Sequence, residues 1–343
     1  MMKMRFPLMA AVTGVLLGST GSALWFHHCF RPENSGKIHT RQFPVMGTLG
    51  RITIYGMEAQ KASEAMEEAQ KVFYHVQKLC SVFDRESPLS RINESAAEKP
   101  VTCPEELFTL LEECSAGYIL SGGAFDAAIR PLMLLWGFYR KRNTLPSEKE
   151  LEKTLAVTGW NKVVLDRKAR TVFFRKKGIS LDLGGVAKGY ALDQAAAVLQ
   201  KTGVKKFVLD LGGNLLCRNE NESDAPFRIG IRSPEKPGKI SETIFLRNGA
   251  VATSGSYERY VIIGGKRYSH IMDPRTGKPV EETRSVTVMT RRGIDSDIFS
   301  TAIFVLGKVP PGLPPGTKVW FTGGTVERGR VKHRRTGGTV EWL

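Results

Sequence analysis

The chain has 343 residues, 41% hydrophobic and 24% charged, a globular composition with room for one large domain or two lobes. Its formal net charge of +16 favours phosphate-bearing or acidic partners. The basic residues are dispersed, apart from Arg140–Arg142, Arg175–Lys177 and Arg328–Arg335, and no nucleic-acid module accompanies them, so these clusters read as solvated faces and nucleic acid is not an expected partner.

Residues 1–29 read as an export segment. Lys3 and Arg5 precede an uncharged, largely apolar run from Phe6 to Phe26, with small residues up to Ala23. The run is either a cleaved signal peptide or a retained N-terminal anchor, since about 20 residues span a bilayer. The positive end stays inside, which places the body outside the cytoplasm, in the periplasm and near the inner membrane. Phe26-His27-His28 before Cys29 is too bulky for a lipid-attachment site. Residues 30–42 read as a polar linker, and 43–343 as the folded domain.

Phe43–Thr48 runs into an alternating strand ending at Tyr55, followed by a long helix whose stripe is Ala62, Ala65, Met66, Ala69, Val72, Phe73, Val76 and Leu79. His75 on that helix reads as structural. Ser81–Asn93 reads as a charged loop. Thr102 with Glu105 predicts a capping box for a second helix, which ends at Ser121-Gly122-Gly123. Ser147 with Glu150 predicts another cap, and Lys162–Asp166 with Thr171–Phe174 a hairpin. The five cysteines show no metal spacing. Cys80, Cys103 and Cys114 allow one bridge in an oxidising compartment, but the apolar positions of Cys80 and Cys114 favour buried thiols.

Ile179–Asp193 is the densest stretch chemically. It reads as a short apolar strand, a Gly184-Gly185 turn and a helix carrying Val186, Tyr190, Ala191, Ala195 and Val198 on one face. Free N–H groups at such a turn would suit an anion, with Lys188 as a nearby cation and Asp182 at the strand end. It is neither a Walker A loop nor a dinucleotide fingerprint.

Phe207–Asn214 is a second strand ending in Gly-Gly. Further strands are expected at Phe227–Ile231, Ile244–Arg247, Val251–Ser254, Tyr260–Ile263, Ser285–Met289 and Val319–Thr322, with another apolar segment at Thr339–Trp342. Asp273-Pro274 before Thr276-Gly277 is a tight-turn signal that holds His270 at a strand end. His270 could act as a general base or phosphate contact. Asp297 and Thr301 lie one helical turn apart, a hard-oxygen pair suited to Mg²⁺. No serine-hydrolase elbow is present. Helices mixed with antiparallel-looking strands, without βα alternation, predict an α+β fold, one two-lobed catalytic domain of mixed or antiparallel sheets flanked by helices.

Met46-Gly47-Thr48, Phe83 with Ser90–Asn93, Gly123–Asp126 with Leu135–Gly137, Leu181–Ala191, Leu211–Asn214, Gly230–Arg232 with Pro234, Thr253–Gly255, His270–Gly277 and Ser296-Asp297 with Thr301-Ala302 occur in one order over about residues 43–310. In these blocks the sequence resembles the ApbE family of FAD:protein FMN transferases. The resemblance implies a Mg²⁺-dependent transfer of FMN from FAD to a threonine of an acceptor protein, releasing AMP. It implies acceptors among flavin-carrying subunits of membrane redox complexes, of the Na⁺-pumping quinone reductase or Rnf type. By the same resemblance the metal ligands fall on Asp297, Thr301 and the Gly185 carbonyl. FAD contacts fall on Met46, Phe83, Ala124, Phe125, Asp126, Asp182, Lys188 and Ile271, and His270 matches a histidine implicated in catalysis. Phe83 stands where many members have Tyr, and Ser296 where Ala is usual. FAD hydrolysis at the same site, flavin binding without turnover and a membrane-tethered interaction protein are the competing readings.

Overall fold

The computed structural model describes residues 37–323, apart from 235, 237, 282 and 283. The export segment and the last apolar segment, Thr339–Trp342, lie outside them. Among the described residues no helix is long and apolar enough to cross a membrane.

In chain order the elements begin with strands β1 (Ile38–Val45) and β2 (Thr48–Tyr55) and helices α1 (Ala59–Leu79) and α2 (Pro88–Ser95). Then come β3 (Val101–Thr102), α3 (Glu105–Leu120), α4 (Arg130–Leu135), α5 (Glu148–Leu155), β4 (Val163–Asp166), β5 (Thr171–Phe174) and α6 (Ala187–Lys201). Strands β6 (Lys206–Leu211), β7 (Asn214–Asn219), β8 (Phe227–Arg232), β9 (Ile240–Leu246) and β10 (Gly249–Gly255) follow. The chain continues through β11 (Tyr260–Ile263), β12 (Lys266–Ser269), β13 (Met272–Asp273), β14 (Lys278–Pro279) and β15 (Arg284–Thr290) to α7 (Gly293–Leu306) and β16 (Lys318–Gly323).

The frame is a seven-stranded sheet in the order β1-β2-β6-β7-β10-β15-β16. Every neighbouring pair runs antiparallel. One face carries Ile52, Ile54, Phe207, Leu209, Val286 and Val288 into the main core, where the apolar stripes of α1, α3, α6 and α7 cover them. The opposite face offers Val208, Leu215, Val251 and Met289 to the β8–β9 hairpin. The alternation in β2 and β6 thus feeds two layers, and β15, between both, is buried at every position. A third apolar cluster joins α4 and α5 to the β11–β12 hairpin through Leu132, Trp136, Leu151, Ile263 and Tyr268. This smaller lobe stands beside the main core, as the expected α+β fold requires.

Several local expectations are corrected. The linker reading fails from Ile38 onward, because β1 reaches back into 30–42; it is an edge strand with one polar side, so its apolar signal is weak. The loop at 81–93 contains α2, started by Ser87 as cap and Pro88 in the first turn. The capping box at Thr102 and Glu105 does not form. Thr102 pairs with Thr171 in a small sheet, and α3 starts directly after Pro104 without a side-chain cap. The box at Ser147 and Glu150 does form. Residues 179–183 are not a strand; Asn93 takes the place of a neighbouring strand, donating to the Leu181 carbonyl at 2.9 Å and accepting from its N–H at 2.6 Å. The four described cysteines are all free thiols.

Candidate active site

Helices α6 and α7 cross at glycines. A Cβ on Gly189 would lie 2.2 Å from the Gly293 carbonyl oxygen, and one on Gly293 would lie 2.5 Å from that of Gly189. This close approach lets the Gly189 N–H donate to Asp297 Oδ2 at 2.9 Å. Asn214, the first residue of β7, donates to Oδ1 at 2.8 Å. The start of α7 has no cap of its own; Asp193 of α6 supplies it, accepting from Gly293 N–H at 2.6 Å and Ile294 N–H at 2.9 Å. Burial raises the Asp193 carboxyl to about 6, opposed by those amides and Arg292.

Asp297 and Thr301 lie one turn apart on the same side of α7, and Gly185 abuts Thr301: its added Cβ would stand 3.6 Å from Thr301 Oγ1. Ser254 donates to Ser300 Oγ at 3.0 Å and lies 3.5 Å from Thr301 Oγ1. Beside Thr301 the place offers the Asp297 carboxylate and neutral oxygens, with Glu258 in electrostatic reach of Asp297; among the described residues no group of three or more His, Cys, Asp or Glu forms a cage. That donor chemistry fits Mg²⁺, which binds through one or two carboxylates and leaves its other positions to water or phosphate. The Gly189 and Asn214 donors orient the carboxylate and leave lone pairs free.

The anion nest expected at 184–187 is largely filled from within. The Gly184 N–H is taken by Asp182 Oδ1 at 2.8 Å, and those of Val186 and Ala187 by the Leu183 carbonyl at 3.1 and 2.8 Å. Three of its four amides are thus engaged inside the turn, and Lys188 supplies a positive charge beside it. This lysine opposes the burial that raises Asp210 and Glu258, and helps to depress His270. Arg232 acts on the same two carboxylates. Glu258 touches solvent yet stands in a recess whose walls desolvate it, and Asp297 raises it further. Lys188 thus acts on both Glu258 and His270, and Asp297 on Glu258, which links the four groups electrostatically around one recess.

His270 follows β12 and is half-buried. Burial first, then the cations of Arg259 and Lys188, push its pKa down to about 4. Its ring is neutral at neutral pH. Nδ1 lies 2.9 Å from the Arg259 carbonyl, which can only accept, so Nδ1 holds the proton and Nε2 keeps a lone pair. His75, by contrast, sits on the outer side of α1, with Nε2 2.6 Å from Glu106.

On another wall Phe83 is 77% exposed, although a Phe normally prefers burial. Its ring stands 5.5 Å from that of Tyr139. The Tyr139 hydroxyl donates to Asp182 Oδ2, and Arg130 and Arg259 lie over its ring at 5.5 and 5.9 Å. Ser81 shapes the Phe83 loop, accepting from Phe83 and Asp84 N–H at 3.2 and 3.0 Å. An aromatic shelf and an oriented carboxylate thus face the recess.

The remaining expected contacts are less direct. Ala124 and Phe125 are buried, with Phe125 against Gly185. Asp126 turns inward, its oxygens taken by Ala128 N–H at 2.7 Å and Trp160 N–H at 3.0 Å, so it fixes the loop and burial raises it to about 6. Met46 sits in the β1–β2 turn at φ 50°, its N–H 2.5 Å from Gln77 of α1. Ile271 is buried, its N–H bonded to Ser269 Oγ and its carbonyl to Val280 N–H. Tyr139, Asn214, Asp193 and Glu258 were not picked out by the sequence. Asn214 alone had a signal, as the residue closing the Leu211-Gly212-Gly213-Asn214 block.

A model of the ApbE family matches residues 46–310. An FAD:protein FMN transferase of Escherichia coli K12 is 29% identical over 297 residues, covering 83% of this chain and 85% of the relative. One from Klebsiella pneumoniae is 31% identical over 276 residues, covering 80% and 84%. Among solved structures, the ApbE protein of Thermotoga maritima aligns with a TM-score of 0.73 and 33% identity, over 79% of this chain and 87% of that one. The flavin transferase ApbE of Vibrio cholerae aligns with a TM-score of 0.71 and 28% identity, over 80% and 88%.

Proposed function

The chain belongs to the ApbE family, and we propose that it is an Mg²⁺-dependent flavin transferase, moving FMN from FAD to a threonine hydroxyl of an acceptor protein and releasing AMP. Three observations support this reading: Lys188 acts on a neutral His270, Asp297 stands in electrostatic reach of Glu258, which Lys188 also faces, and Gly185 packs against Thr301. Phe83 and Tyr139 supply an aromatic wall for the isoalloxazine ring, and Asp182 a fixed acceptor for a ring or ribitol donor.

In the reaction the threonine oxygen forms a bond to the FMN phosphorus, and the bond from that phosphorus to the AMP oxygen breaks. His270 Nε2 accepts the threonine proton, while the Nδ1–H bond to Arg259 holds the ring in place. Lys188 stabilises charge gathering on the departing phosphate. Asp297, Thr301 and the Gly185 carbonyl would hold Mg²⁺, which neutralises the pyrophosphate and orients it. The expected acceptors are flavin-carrying subunits of membrane redox complexes, displayed outside the cytoplasm where residues 1–29 would deliver the enzyme.

The test is co-expression with such acceptor domains, reading covalent flavin by in-gel fluorescence and AMP by chromatography. Equimolar flavinylation and AMP support transfer. AMP and free FMN with no labelled acceptor would make the enzyme a hydrolase, and intact FAD after long incubation a carrier.

His270→Ala should slow single-turnover transfer by about 10²- to 10⁴-fold and leave FAD affinity within about twofold. Because the folded pKa lies below the usual 6.5, the base form persists as pH falls, and activity should hold to about pH 5 before failing near 4. The same depressed pKa means that the unfolded chain binds this proton first, so the residue's contribution to stability is present above about 6.5 and is lost as pH falls towards 4. An activity midpoint near 6.5 would contradict the assignment.

Phe83→Ala should weaken FAD binding about tenfold, the value of one lost stack of about 1.4 kcal/mol. Its exposure means that the melting midpoint should stay within about 2 °C. Flavin fluorescence quenching measures the first and calorimetry the second; unchanged affinity would remove Phe83 from the flavin site.

A further inference from the structure

The β11–β12 hairpin has two faces. Val261, Ile263 and Tyr268 point into the smaller lobe. Tyr260, Ile262 and Arg267 share the other face, where Tyr260 is 40% and Ile262 57% exposed and Arg267 stacks over Tyr260 at 4.6 Å. An isoleucine that exposed on a two-stranded sheet with free edges is a feature folding alone does not require.

The hairpin is also tied to the recess. The Arg259 carbonyl before β11 receives both the His270 N–H, at 3.0 Å, and the His270 ring. The Arg259 guanidinium donates to the Phe138 carbonyl at 3.2 Å, and the chain beyond Tyr139 presents Arg140 and Lys141 to solvent. Lys266 is balanced by Glu281 at 3.0 Å. Among the described residues no ion pair engages Arg140, Lys141 or Arg267. The rim beside His270 is therefore apolar at its centre, with Arg140, Lys141 and Arg267 as the cations unpaired among the described residues and Glu258 and Glu281 as its acids.

We propose that the outward face of this hairpin, with Arg140 and Lys141, is the docking surface for the acceptor protein, and that it takes an extended, acidic segment carrying the acceptor hydroxyl. Ile262 and Tyr260 receive an apolar side chain of that segment, and the cations receive its carboxylates. The free strand edges suit an extended backbone, and a positive rim steers an acidic partner. Docking here leads the segment along the hairpin to its base, where His270 Nε2 accepts the hydroxyl proton. The inference rests on the transfer reading, and its test is a binding measurement that does not depend on turnover.

The probe is a short fluorescein-labelled peptide with one threonine flanked by aspartate and leucine, beside a counterpart with lysine for aspartate. Both are titrated by anisotropy against the full chain with FAD. The acidic peptide should bind at least about tenfold tighter than the basic one, and lose most of that margin when salt rises from about 0.05 to 0.5 M. The double variant Ile262→Asp/Arg267→Glu should lose at least tenfold in acidic-peptide affinity with unchanged FAD affinity. Arg140→Glu/Lys141→Glu, on a separate segment, should lose severalfold. Equal binding of the two peptides, no binding of either, or full affinity in both variants overturns the docking surface. If the peptide results hold and no acceptor is ever flavinylated, it is the transfer reading that fails.

Discussion

Asp297→Asn should reduce AMP release from FAD by at least about a hundredfold, and by up to about a thousandfold at low Mg²⁺. Of the three proposed Mg²⁺ ligands, Asp297, Thr301 and the Gly185 carbonyl, Asp297 alone is anionic. The substitution keeps its shape and removes its charge. The fold should survive. The new amide still offers an oxygen to the Gly189 N–H, and the Asn214 amide can rotate to accept from the new nitrogen. The melting midpoint should therefore move by only a few degrees. Rates measured across a Mg²⁺ titration separate two outcomes. Recovery at high Mg²⁺ assigns Asp297 to metal affinity, and no recovery assigns it to the chemical step as well. Wild-type rates at every Mg²⁺ concentration would remove the metal from this place.

The second large effect is structural. Gly189→Ala places a methyl group 2.2 Å from the Gly293 oxygen, 2.6 Å from its carbon and 2.8 Å from Asp297 Cβ. The nearest atoms are backbone, so no rotamer relieves the overlap and the helices must part. A loss of about 3 kcal/mol, at the upper end for overpacking, is expected by urea denaturation. Parting the helices also lengthens the Gly189–Asp297 bond and draws the Asp193 cap from the start of α7. Activity should thus fall even at temperatures where the variant stays folded. Wild-type stability would mean that the helices meet elsewhere.

Much of the frame was legible because burial writes its own period. The α1 stripe and strands β6, β8, β9, β10, β11 and β15 follow from their apolar runs, whereas β7, β13 and β14 went unannounced. The failures share a cause. The segment 179–183 is apolar like a strand, but its partner is the Asn93 side chain, a contact that no local pattern announces. The Gly-Gly turn has an anion site's composition, yet Asp182, two residues before Gly184, closes its first amide. Asp126 matches the family block, and only the Trp160 amide on a distant turn shows that it faces inward. Asp193 had no assigned role in the sequence, because the bare start of α7 that it caps lies a hundred positions further on. Tyr139 had no signal, because its role depends on where Phe83 and Asp182 meet.

Asp297 is held by Gly189, 108 positions earlier in the chain, and by Asn214, 83 positions earlier. Such contacts close late in folding, after the entropy of large loops has been lost. A nascent chain lacking α7 lacks Asp297 and Thr301 themselves, and with them the contacts to Gly189 and Asn214. On the proposed role of Asp297, competence arrives only after α7 has been synthesised and packed, and a partly made or still-unfolded chain is inactive.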